Sequence, residues 1–395
     1  DIVPVMGEYE RTSTTAVNAY VMPRVASYLT ALQQKLIDMG LKTKLLMLQS
    51  NGGAASLDQL IRQPVNLLLS GPSAGVGAMQ HLAAGIGENN LVSMEIGGTS
   101  CDVMLMHEGR VAITDSLSVN DYDLVTPSVD IHTVGAGGGT IAGIDTAGLM
   151  YAGPEGAGAR PGPAAYGHGG TRPTVTDAHV VLGYLDPDHP LGGTVALDKT
   201  AAETALARVA GPLGLGVTEL AAGIVEISSA QMADLMRKVT VERGLDPRGF
   251  TVFAYGGAGP VFAPFIARQI GARKAYVPAD SGMFSAMGML TTDMVFSEER
   301  SLSMQPPLVS RDLEAINALL DRLAQQVITQ FDAEGVEMSR VILHRVVDMR
   351  FRMQVHQLEI DLPDTPVGSS DVASICAGFL EKYEQTYGEN SAYPE

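Results

Sequence analysis

The sequence predicts a protein of the α/β class, or of the α+β class, in which strands and helices are both present. Short apolar runs that are typical of buried strands alternate with longer segments in which apolar residues recur every three or four positions, as on one face of a helix. Clusters of glycine and proline separate these segments. With 395 residues, of which 46% are hydrophobic, the chain can bury a sizeable core, and its length indicates two or more domains.

Four segments predict helices. The first begins at a Thr12 or Ser13 cap and ends at Gly40, and Pro23 is expected to kink or split it. The third begins at a Thr218 cap and ends before a glycine. The predicted helices cover residues 12–39, 74–84, 219–243 and 311–334.

Apolar runs that are bounded by turn residues predict the strands. They cover residues 45–48, 66–70, 91–96, 103–107 and 252–255, together with an alternating segment over 340–361. Residues 127–175 are dense in glycine and proline. So long an irregular stretch inside a compact domain is usually functional or mobile.

The bulk composition argues against two classes of partner. The net charge is −18, whereas a nucleic-acid-binding surface needs a basic stripe. No run of about 18 or more apolar residues occurs, so we expect no membrane span. The two cysteines, Cys101 and Cys376, are too few for a disulfide framework, and this favours a reducing, cytoplasmic location.

A glycine turn between two predicted strands is the most informative motif. Glu95 ends the first strand, and the turn over residues 97–100 reads Gly-Gly-Thr-Ser. The glycines let backbone N–H groups approach an anion closely, and the two hydroxyls add donors. Asp102, just past the turn, can hold a metal ion or its water. These are the parts needed to wrap a triphosphate and its Mg²⁺; an ordinary β-hairpin is the alternative.

A second glycine turn follows the predicted strand over 252–255. It reads Gly-Gly-Ala-Gly-Pro over residues 256–260 and precedes a helix. Glycines there let a flat ring or a phosphate lie on the backbone, and the N-terminus of the following helix favours an anion. A tight strand-to-helix connection with no ligand is the alternative.

Two Asp-x-His pairs are candidate ligands for a divalent cation. On a strand, residues i and i+2 face the same way, so Asp130 with His132, and Asp177 with His179, could each present an oxygen and a nitrogen together. The alternative for the second pair is that Asp177 caps a helix that begins at His179. The first pair directly precedes a glycine-rich turn, where a functional role is favoured.

A different chemistry is suggested by residues 71–75, Gly-Pro-Ser-Ala-Gly. They match the G-x-S-x-G nucleophile elbow, because a strand-like run precedes them and a predicted helix follows. Ser73 would then be the nucleophile of a serine hydrolase. Cys101 beside Asp102 is a second candidate nucleophile, although a small buried residue is the favoured interpretation.

Further motifs sharpen the picture, and they occur in a fixed order. They are residues 10–14 (Glu-Arg-Thr-Ser-Thr), 49–53, 70–72, 130–139, 153–163, 174–178, 241–244 (Val-Glu-Arg-Gly) and 284–288 (Phe-Ser-Ala-Met-Gly). Together they resemble the hydantoinase-A/oxoprolinase family over about residues 8–300. That family includes ATP-dependent hydantoinases, 5-oxoprolinases and the matching subunits of acetone and acetophenone carboxylases. The two glycine turns resemble the second phosphate loop and the adenosine loop of actin-like ATPases.

The resemblance implies an α/β, actin-like ATPase fold of two lobes, built around mixed sheets with flanking helices, with a nucleotide cleft between the lobes. It implies a reaction in which ATP phosphorylates the carbonyl of a cyclic amide for ring-opening hydrolysis, or a ketone as its enol for carboxylation. It also implies a hydantoinase-B-like partner subunit within an oligomer. A non-catalytic, actin-like regulatory subunit is a further alternative. We expect the ATPase core over residues 1–300 and an α+β segment over 301–395.

The motifs and the resemblance together imply roles for individual residues. The expected catalytic residues are Asp130, His132 and Asp102. The expected cofactor-binding residues are Gly97, Gly98, Thr99, Ser100, Gly256, Gly257, Gly259 and Glu242. The expected metal ligands are Glu95, Asp102, Asp130, His132 and Asp177. ATP and Mg²⁺, or another divalent metal, are the expected cofactors, and the two turns should converge on one nucleotide from opposite walls.

The sequence departs from the family pattern at three points. Glu95 stands where members usually have Asp, and Cys101 stands where they have Thr. Members also carry a first phosphate loop of the form Asp-x-Gly-Gly-Thr near their N-terminus, and we find no second such loop here. We therefore expect the chain to be part of a longer protein.

Overall fold

The computed structural model describes residues 2–119, 122–354 and 356–392. Its α-helices are α1 (Glu8–Asp38), α2 (Leu57–Arg62), α3 (Gly75–Ile86), α4 (Val175–Val181), α5 (Lys199–Leu213), α6 (Val217–Val241), α7 (Gly259–Ile270), α8 (Phe284–Thr291), α9 (Ser310–Glu334) and α10 (Ser369–Tyr387). Its strands are β1 (Leu46–Leu48), β2 (Ala54–Ser56), β3 (Leu91–Ile96), β4 (Cys101–His107), β5 (Arg110–Val111), β6 (Ile113–Val119), β7 (Tyr122–Val129), β8 (His132–Val134), β9 (Thr140–Ile144), β10 (Met150–Gly156), β11 (Thr251–Tyr255), β12 (Ala275–Tyr276), β13 (Val346–Met349) and β14 (Leu358–Asp361).

Most of the predicted elements are confirmed. The four predicted helices correspond to α1, α3, α6 and α9, and the strands predicted over 91–96, 103–107 and 252–255 correspond to β3, β4 and β11. Two helix starts differ from the prediction. α1 begins at Glu8, ahead of the predicted Thr12 or Ser13 cap, and the residue that caps α6 is Gly216 in place of Thr218.

Two strand predictions are wrong. The apolar run over 66–70 follows Pro64, which opens a short 3₁₀ helix over Pro64–Leu67. Asn18 of α1 accepts a hydrogen bond from the backbone N–H of Val65 at 3.1 Å, and this non-local contact stabilises the helical turn. The segment over 340–361 is not one strand: it contains β13 and β14, which pair with each other in antiparallel fashion.

The chain divides into two compact units. The first takes in the described residues of 1–70, 114–128 and 293–395, and contains α1, α2, α9, α10 and three two-stranded pairings. One of its apolar clusters is built on Leu29, Leu57 and Leu60, and another on Phe379 and Tyr383. These units are defined by contacts in space, whereas the boundary predicted at residue 300 divides the sequence. That boundary stays a prediction.

The second unit, residues 71–113 and 129–292, is built on a six-stranded mixed sheet. The strand order is β12-β11-β3-β4-β5, and β8 also pairs with β4. β3, β11 and β12 run parallel, whereas β4 is antiparallel to β3, β5 and β8. Parallel strands end at the same edge of a sheet, so the turns after β3 and β11 emerge side by side.

Helices cover both faces of this sheet. Val92 and Met94 of β3 and Val103 of β4 face a cluster that α6 and α7 complete. Tyr255 of β11 and Met104 of β4 face a second cluster that α3 and α8 complete. Because side chains alternate between faces along a strand, this pattern assigns every strand residue near the turns to one side or the other.

Within the described ranges no single helix is long and apolar enough to cross a membrane. α5 and α6 reach that length and hydropathy when they are taken together, and they are bent by 92° at the break between them.

Candidate active site

The two glycine turns predicted from the sequence lie next to each other. Glu95 of β3 pairs with Tyr255 of β11, at the last position of the ladder. Just beyond, the N–H of Ala258 donates to the carbonyl oxygen of Ile96 at 2.9 Å. The expectation that the turns form opposite walls is wrong, because they follow neighbouring parallel strands. Both turns instead line one edge of a single sheet.

Gly256 makes this close approach possible. Its φ is 83°, a conformation that side-chain-bearing residues rarely adopt. A Cβ atom at this position would lie 2.5 Å from the carbonyl oxygen of Ile96 and 2.9 Å from its nitrogen. The next glycine, Gly257, has open space around it. Gly256 is therefore required by the fold itself, and Gly257 is not.

A third glycine segment, within the predicted irregular stretch, supports the first turn. Gly138 N–H donates to the carbonyl oxygen of Gly97 at 3.0 Å, and Gly139 N–H donates to that of Gly98 at 2.7 Å. A Cβ atom at Gly137 would lie 2.8 Å from the Gly97 oxygen. The N–H groups of Gly138 and Gly139 therefore hydrogen-bond the carbonyl oxygens of the turn over 97–100 and fix its position.

The turn over 97–100 keeps donors free of protein partners. Its residues Gly97, Gly98 and Thr99 are exposed. The N–H groups of Gly98 and Thr99 have no hydrogen-bond partner in the part of the chain that the structure describes. A Cβ atom at Gly97 or Gly98 would meet no other atom within 4 Å. Neither glycine is required by packing, so the space above them is open to a ligand.

Two carboxylates stand beside this turn. Glu95 and Asp102 lie directly opposite each other on β3 and β4 and face the same side of the sheet. Asp102 Oδ1 accepts a hydrogen bond from Thr133 Oγ1 at 2.6 Å, and Glu95 Oε1 accepts one from Ser285 Oγ at 2.8 Å. Burial, and then the charge of Asp102, raise the pKa of Glu95, although the Ser285 hydroxyl opposes this shift.

This pair suits Mg²⁺. The ion usually takes one or two protein carboxylates and completes its shell with waters and substrate phosphates. Glu95 and Asp102 supply two carboxylates next to the exposed amides of the turn. The second oxygen of Glu95 accepts no hydrogen bond from the described residues, whereas Asp102 Oδ2 accepts a long one from Ser100 Oγ at 3.5 Å. No group of three or more Asp, Glu, His or Cys side chains in the described ranges is close enough to hold a metal ion alone.

Asp130 and His132 lie on the other face of the sheet. Thr133 pairs with Asp102, whereas His132 pairs with Val103, whose side chain points toward α6. Asp130 forms an ion pair with Arg243, at the end of α6, and its Oδ1 lies 3.1 Å from His132 Nε2. That nitrogen is buried and makes no hydrogen bond with any residue that the structure describes.

The surroundings of His132 lower the pKa of its imidazole. Burial lowers its pKa, and the charge of Lys238 adds to that effect, whereas the charge of Glu242 opposes it. Glu242 is exposed and lies at the end of α6, 4.0 Å from Lys238. It is therefore electrostatically close to His132, and no contact joins it to residues 256–259 in the described chain.

Asp177 has a structural role at the start of α4. The residue that caps this helix is Thr174, so the prediction that Asp177 is the N-cap is wrong. The Asp177 carboxylate accepts hydrogen bonds from the N–H and hydroxyl of Thr174 and from the N–H groups of Ala164 and Ala165. Burial raises its pKa. The five predicted metal ligands are therefore not brought together: one pair flanks the turn, one pair lies on the opposite face, and Asp177 closes a capping box.

His179 follows in the same helix and is buried. Neither ring nitrogen has a hydrogen-bond partner among the described residues. The ring packs edge-on against Phe262 with centroids 5.0 Å apart, and Tyr184 lies 5.8 Å away. Burial lowers its pKa to about 4. This surrounding is that of a neutral core residue.

The two candidate nucleophiles are both buried. Ser73 is inaccessible and lies in a 3₁₀ helix, Pro72–Ala74, and the residues before it form turns in place of the strand that a nucleophile elbow requires. Cys101 is inaccessible as well, and burial raises the pKa of its thiol. The interpretation of Cys101 as a small buried residue is confirmed, and the serine-hydrolase interpretation loses its structural basis.

Comparison with known proteins places the chain in a family. The model of the family described as "Hydantoinase/oxoprolinase" matches residues 11–298, and that of the "Hydantoinase/oxoprolinase C-terminal domain" matches residues 308–395. The chain belongs to the hydantoinase/oxoprolinase family. The resemblance inferred from the ordered motifs is thereby confirmed.

Individual members of the hydantoinase/oxoprolinase family differ in reaction. The chain is 32% identical to the caprolactamase subunit alpha of Pseudomonas jessenii, over 98% of this chain and 56% of that protein. It is 30% identical to the acetone carboxylase beta subunit of Xanthobacter autotrophicus, over 100% of this chain and 56% of that protein. It is 29% identical to 5-oxoprolinase 1 of Arabidopsis thaliana, over 98% of this chain and 31% of that protein. The chain thus spans about half the length, or less, of these relatives.

Solved structures support the fold class. The ATP-dependent caprolactamase from Pseudomonas jessenii superposes with a TM-score of 0.90 at 32% identity, over 99% of this chain and 57% of that one. A nucleotide-free acetone carboxylase superposes with a TM-score of 0.74 at 30% identity, over 99% of this chain and 56% of that one. The predicted α/β class, with mixed sheets flanked by helices, is confirmed.

Three residues of the site had no role assigned from the sequence: Thr133, Arg243 and Ser285. Each lies inside a motif that carries the family resemblance. Their partners, Asp102, Asp130 and Glu95, come from strands or loops that are distant in the sequence. The motifs signalled that these residues matter, but only the strand register and the packing of α6 and α8 show what they contact.

Proposed function

We propose that the protein is the nucleotide-using subunit of an ATP-dependent enzyme that activates the carbonyl of a cyclic amide for ring-opening hydrolysis. The observation that carries this proposal is the turn over 97–100. It presents two unpartnered backbone N–H groups in open space beside the carboxylates of Glu95 and Asp102. Membership of a family with ATP-dependent relatives supports the same assignment.

Each part of the site has a task in this proposal. Gly97, Gly98, Thr99 and Ser100 would bind the phosphates, because backbone N–H groups in a tight turn form an anion-binding concavity. Glu95 and Asp102 would hold Mg²⁺, which neutralises phosphate charge when bound. The neighbouring turn, through Gly256, Gly257 and Gly259, would lie against adenosine. The predicted cofactor-binding role of Glu242 stays a prediction.

The proposed reaction begins with phosphoryl transfer. The amide oxygen attacks the γ-phosphorus of ATP, the bond to the β-phosphate oxygen breaks, and ADP leaves. The activated carbon then accepts water, the ring C–N bond opens, and a second water releases phosphate from the acyl group. The protein contributes placement and charge neutralisation, which account for most of the catalysis in phosphoryl transfer.

We place Asp130 and His132 in a separate acid–base role. They lie on the face of the sheet away from Asp102, so they do not complete its metal site. A neutral imidazole held beside a carboxylate is suited to accept a proton from water. Arg243 balances the charge of Asp130. This role accounts for His132 without a metal.

A second candidate is the ATP-using subunit of a ketone carboxylase. Its support is the 30% identity to an acetone carboxylase beta subunit, and 34% identity to the acetophenone carboxylase gamma subunit of Aromatoleum aromaticum over 98% of this chain and 53% of that protein. In that reaction the phosphate would trap a ketone as its enol before carbon dioxide adds. Both candidates place ATP at the same turn.

The partners follow from the names of the relatives. Several are called subunits of larger enzymes, and we propose that this protein also works in a hetero-oligomer, with a hydantoinase-B-like subunit, in the cytoplasm. The substrate would be a small molecule.

A substrate panel tests the proposal. The protein is expressed from its complete gene, together with any hydantoinase-B-like subunit encoded beside it. ADP release is measured with hydantoin, 5-oxoproline or caprolactam, and with acetone or acetophenone plus bicarbonate. Stimulation by a cyclic amide, lost in Asp102→Asn, supports the first candidate, and stimulation that requires bicarbonate supports the second. An absence of Mg²⁺-dependent ATP binding would favour a regulatory subunit instead.

A further inference from the structure

We infer that Ser285 is a positioning residue, which fixes the carboxylate of Glu95 in the orientation that Mg²⁺ binding requires. The inference rests on the proposed function, because it gives Glu95 a metal to hold. It assigns a task to residues 284–288, a motif that the proposed reaction otherwise leaves unused.

The contact is direct. Ser285 Oγ donates to Glu95 Oε1 at 2.8 Å, and both side chains are half-buried. The second oxygen of Glu95 accepts no hydrogen bond from any described residue. Across the strand pair, the hydroxyl of Thr133 occupies one oxygen of Asp102 in the same manner. Asp102 Oδ2 also accepts a longer hydrogen bond, from Ser100 Oγ at 3.5 Å. Glu95 is therefore held by one hydroxyl at one oxygen, and its other oxygen is left for a ligand.

Ser285 is itself fixed by the residue that precedes it. Phe284 is buried, with its ring 4.7 Å from that of Tyr255 and 5.2 Å from that of Phe253. Tyr255 is the strand neighbour of Glu95. The aromatic cluster that anchors the first turn of α8 therefore lies directly beside the carboxylate that Ser285 contacts.

A second anchor lies three residues later. Gly288 packs so closely against Ala74 and Gly75 that a Cβ atom there would overlap the carbonyl oxygen of Ala74. α8 is thus locked on both sides of Ser285, by an aromatic ring and by backbone contact. A hydroxyl carried on so constrained a helix is placed with little freedom.

Glu95 needs such an anchor for a chemical reason. Three rotatable bonds separate its backbone from its carboxylate, and ordering them costs conformational entropy each time a metal binds. A hydrogen bond that orders them in advance removes part of that cost. Loss of a partner that orients a metal ligand typically weakens metal binding by about tenfold or more.

Binding of Mn²⁺, used as the spectroscopic probe for the Mg²⁺ site, tests the inference. Free Mn²⁺ is measured by electron paramagnetic resonance in the presence of ATP, with protein from the complete gene. We expect Ser285→Ala to raise the Mn²⁺ dissociation constant by about tenfold, and Ser285→Thr, which keeps the hydroxyl, to restore most of the affinity. The control is Thr291→Ala, which removes a hydroxyl of α8 that bonds only helix carbonyls.

Two results would overturn the inference. One is a Ser285→Ala protein that binds Mn²⁺ as tightly as the wild type. The other is a folded Ser285→Thr protein, with a wild-type melting temperature, that binds Mn²⁺ as weakly as the alanine variant. A wild-type protein that fails to bind Mn²⁺ with ATP contradicts the proposed function before any substitution is made, so the two failures are distinguishable.

Discussion

Substitution of Gly256 by alanine should destabilise the protein, whereas the same substitution one residue later should not. Gly256 has a φ of 83°, and an added Cβ atom would lie 2.5 Å from the carbonyl oxygen of Ile96. At Gly257 the added atom would meet nothing within 4 Å, and φ lies outside the left-handed region. The two variants differ in position by one residue and carry the same methyl group.

The magnitude follows from two costs. Placing a side-chain-bearing residue in the left-handed region costs about 1–2 kcal/mol. The added Cβ atom would overlap backbone atoms of Ile96, which cannot move aside as the end of a flexible side chain could. Relieving this overlap costs about 1–3 kcal/mol. We therefore expect Gly256→Ala to lower the free energy of unfolding by about 2–5 kcal/mol, and Gly257→Ala to change it by about 0.5 kcal/mol or less.

Guanidinium denaturation followed by circular dichroism measures the difference. The denaturation midpoints of the wild type, Gly256→Ala and Gly257→Ala are compared. If the dependence of unfolding free energy on denaturant has the same slope in all three proteins, a change in midpoint reports a change in stability. Equal midpoints for the two variants would refute the claim that the second turn packs against the end of β3.

Three further predictions concern single ionisable residues. Asp177→Ala should lower the free energy of unfolding by at least about 3 kcal/mol, because four buried donors lose their acceptor. A loss of stability that does not depend on Mg²⁺ would confirm a structural role, and one that does would contradict it. Burial lowers the pKa of His179 from 6.5 to about 4. This shift contributes about 3 kcal/mol to the free energy of unfolding above pH 6.5, and the contribution is lost as pH falls toward 4. His179→Leu should flatten the pH dependence of the melting temperature in that range, and an unchanged slope would contradict this. The pKa of Glu299 is raised to about 7, first by burial and then by the charge of Asp115. Its contribution to stability is therefore full below pH 4.5 and is lost as pH rises to 7. Glu299→Gln should raise the melting temperature at pH 8 but not at pH 4.5, and equal effects at both pH values would count against this prediction.

Local patterns predicted much of the second unit. β3 and β11 are short apolar runs that end in glycine, and both were predicted within one residue of their observed bounds. The capping box at Thr174 is also a local pattern, since Thr and Asp stand three residues apart at the start of α4. This spacing alone indicates a structural role for Asp177.

Non-local contacts account for what the sequence did not reveal. The register of β8 against β4 places His132 and Asp102 on opposite faces, and a shift of one residue would have reversed that result. The apolar run after Pro64 could not be distinguished from a strand without the contact from Asn18. Ser285 and Glu95 are 190 positions apart, so their pairing depends on the packing of α8.

Nucleotide binding by a Gly98→Ala protein tests the central claim most directly. A methyl group at Gly98 meets no protein atom within 4 Å, so it should leave the denaturation midpoint unchanged while it intrudes on the space proposed for the phosphates. Calorimetric titration with ATP and Mg²⁺ should show binding by the wild type and by the control Gly211→Ala, whose added Cβ atom also meets nothing. We predict an affinity at least about tenfold weaker for Gly98→Ala, a loss of about 1.4 kcal/mol. An unchanged affinity would mean that residues 97–100 form only a hairpin turn.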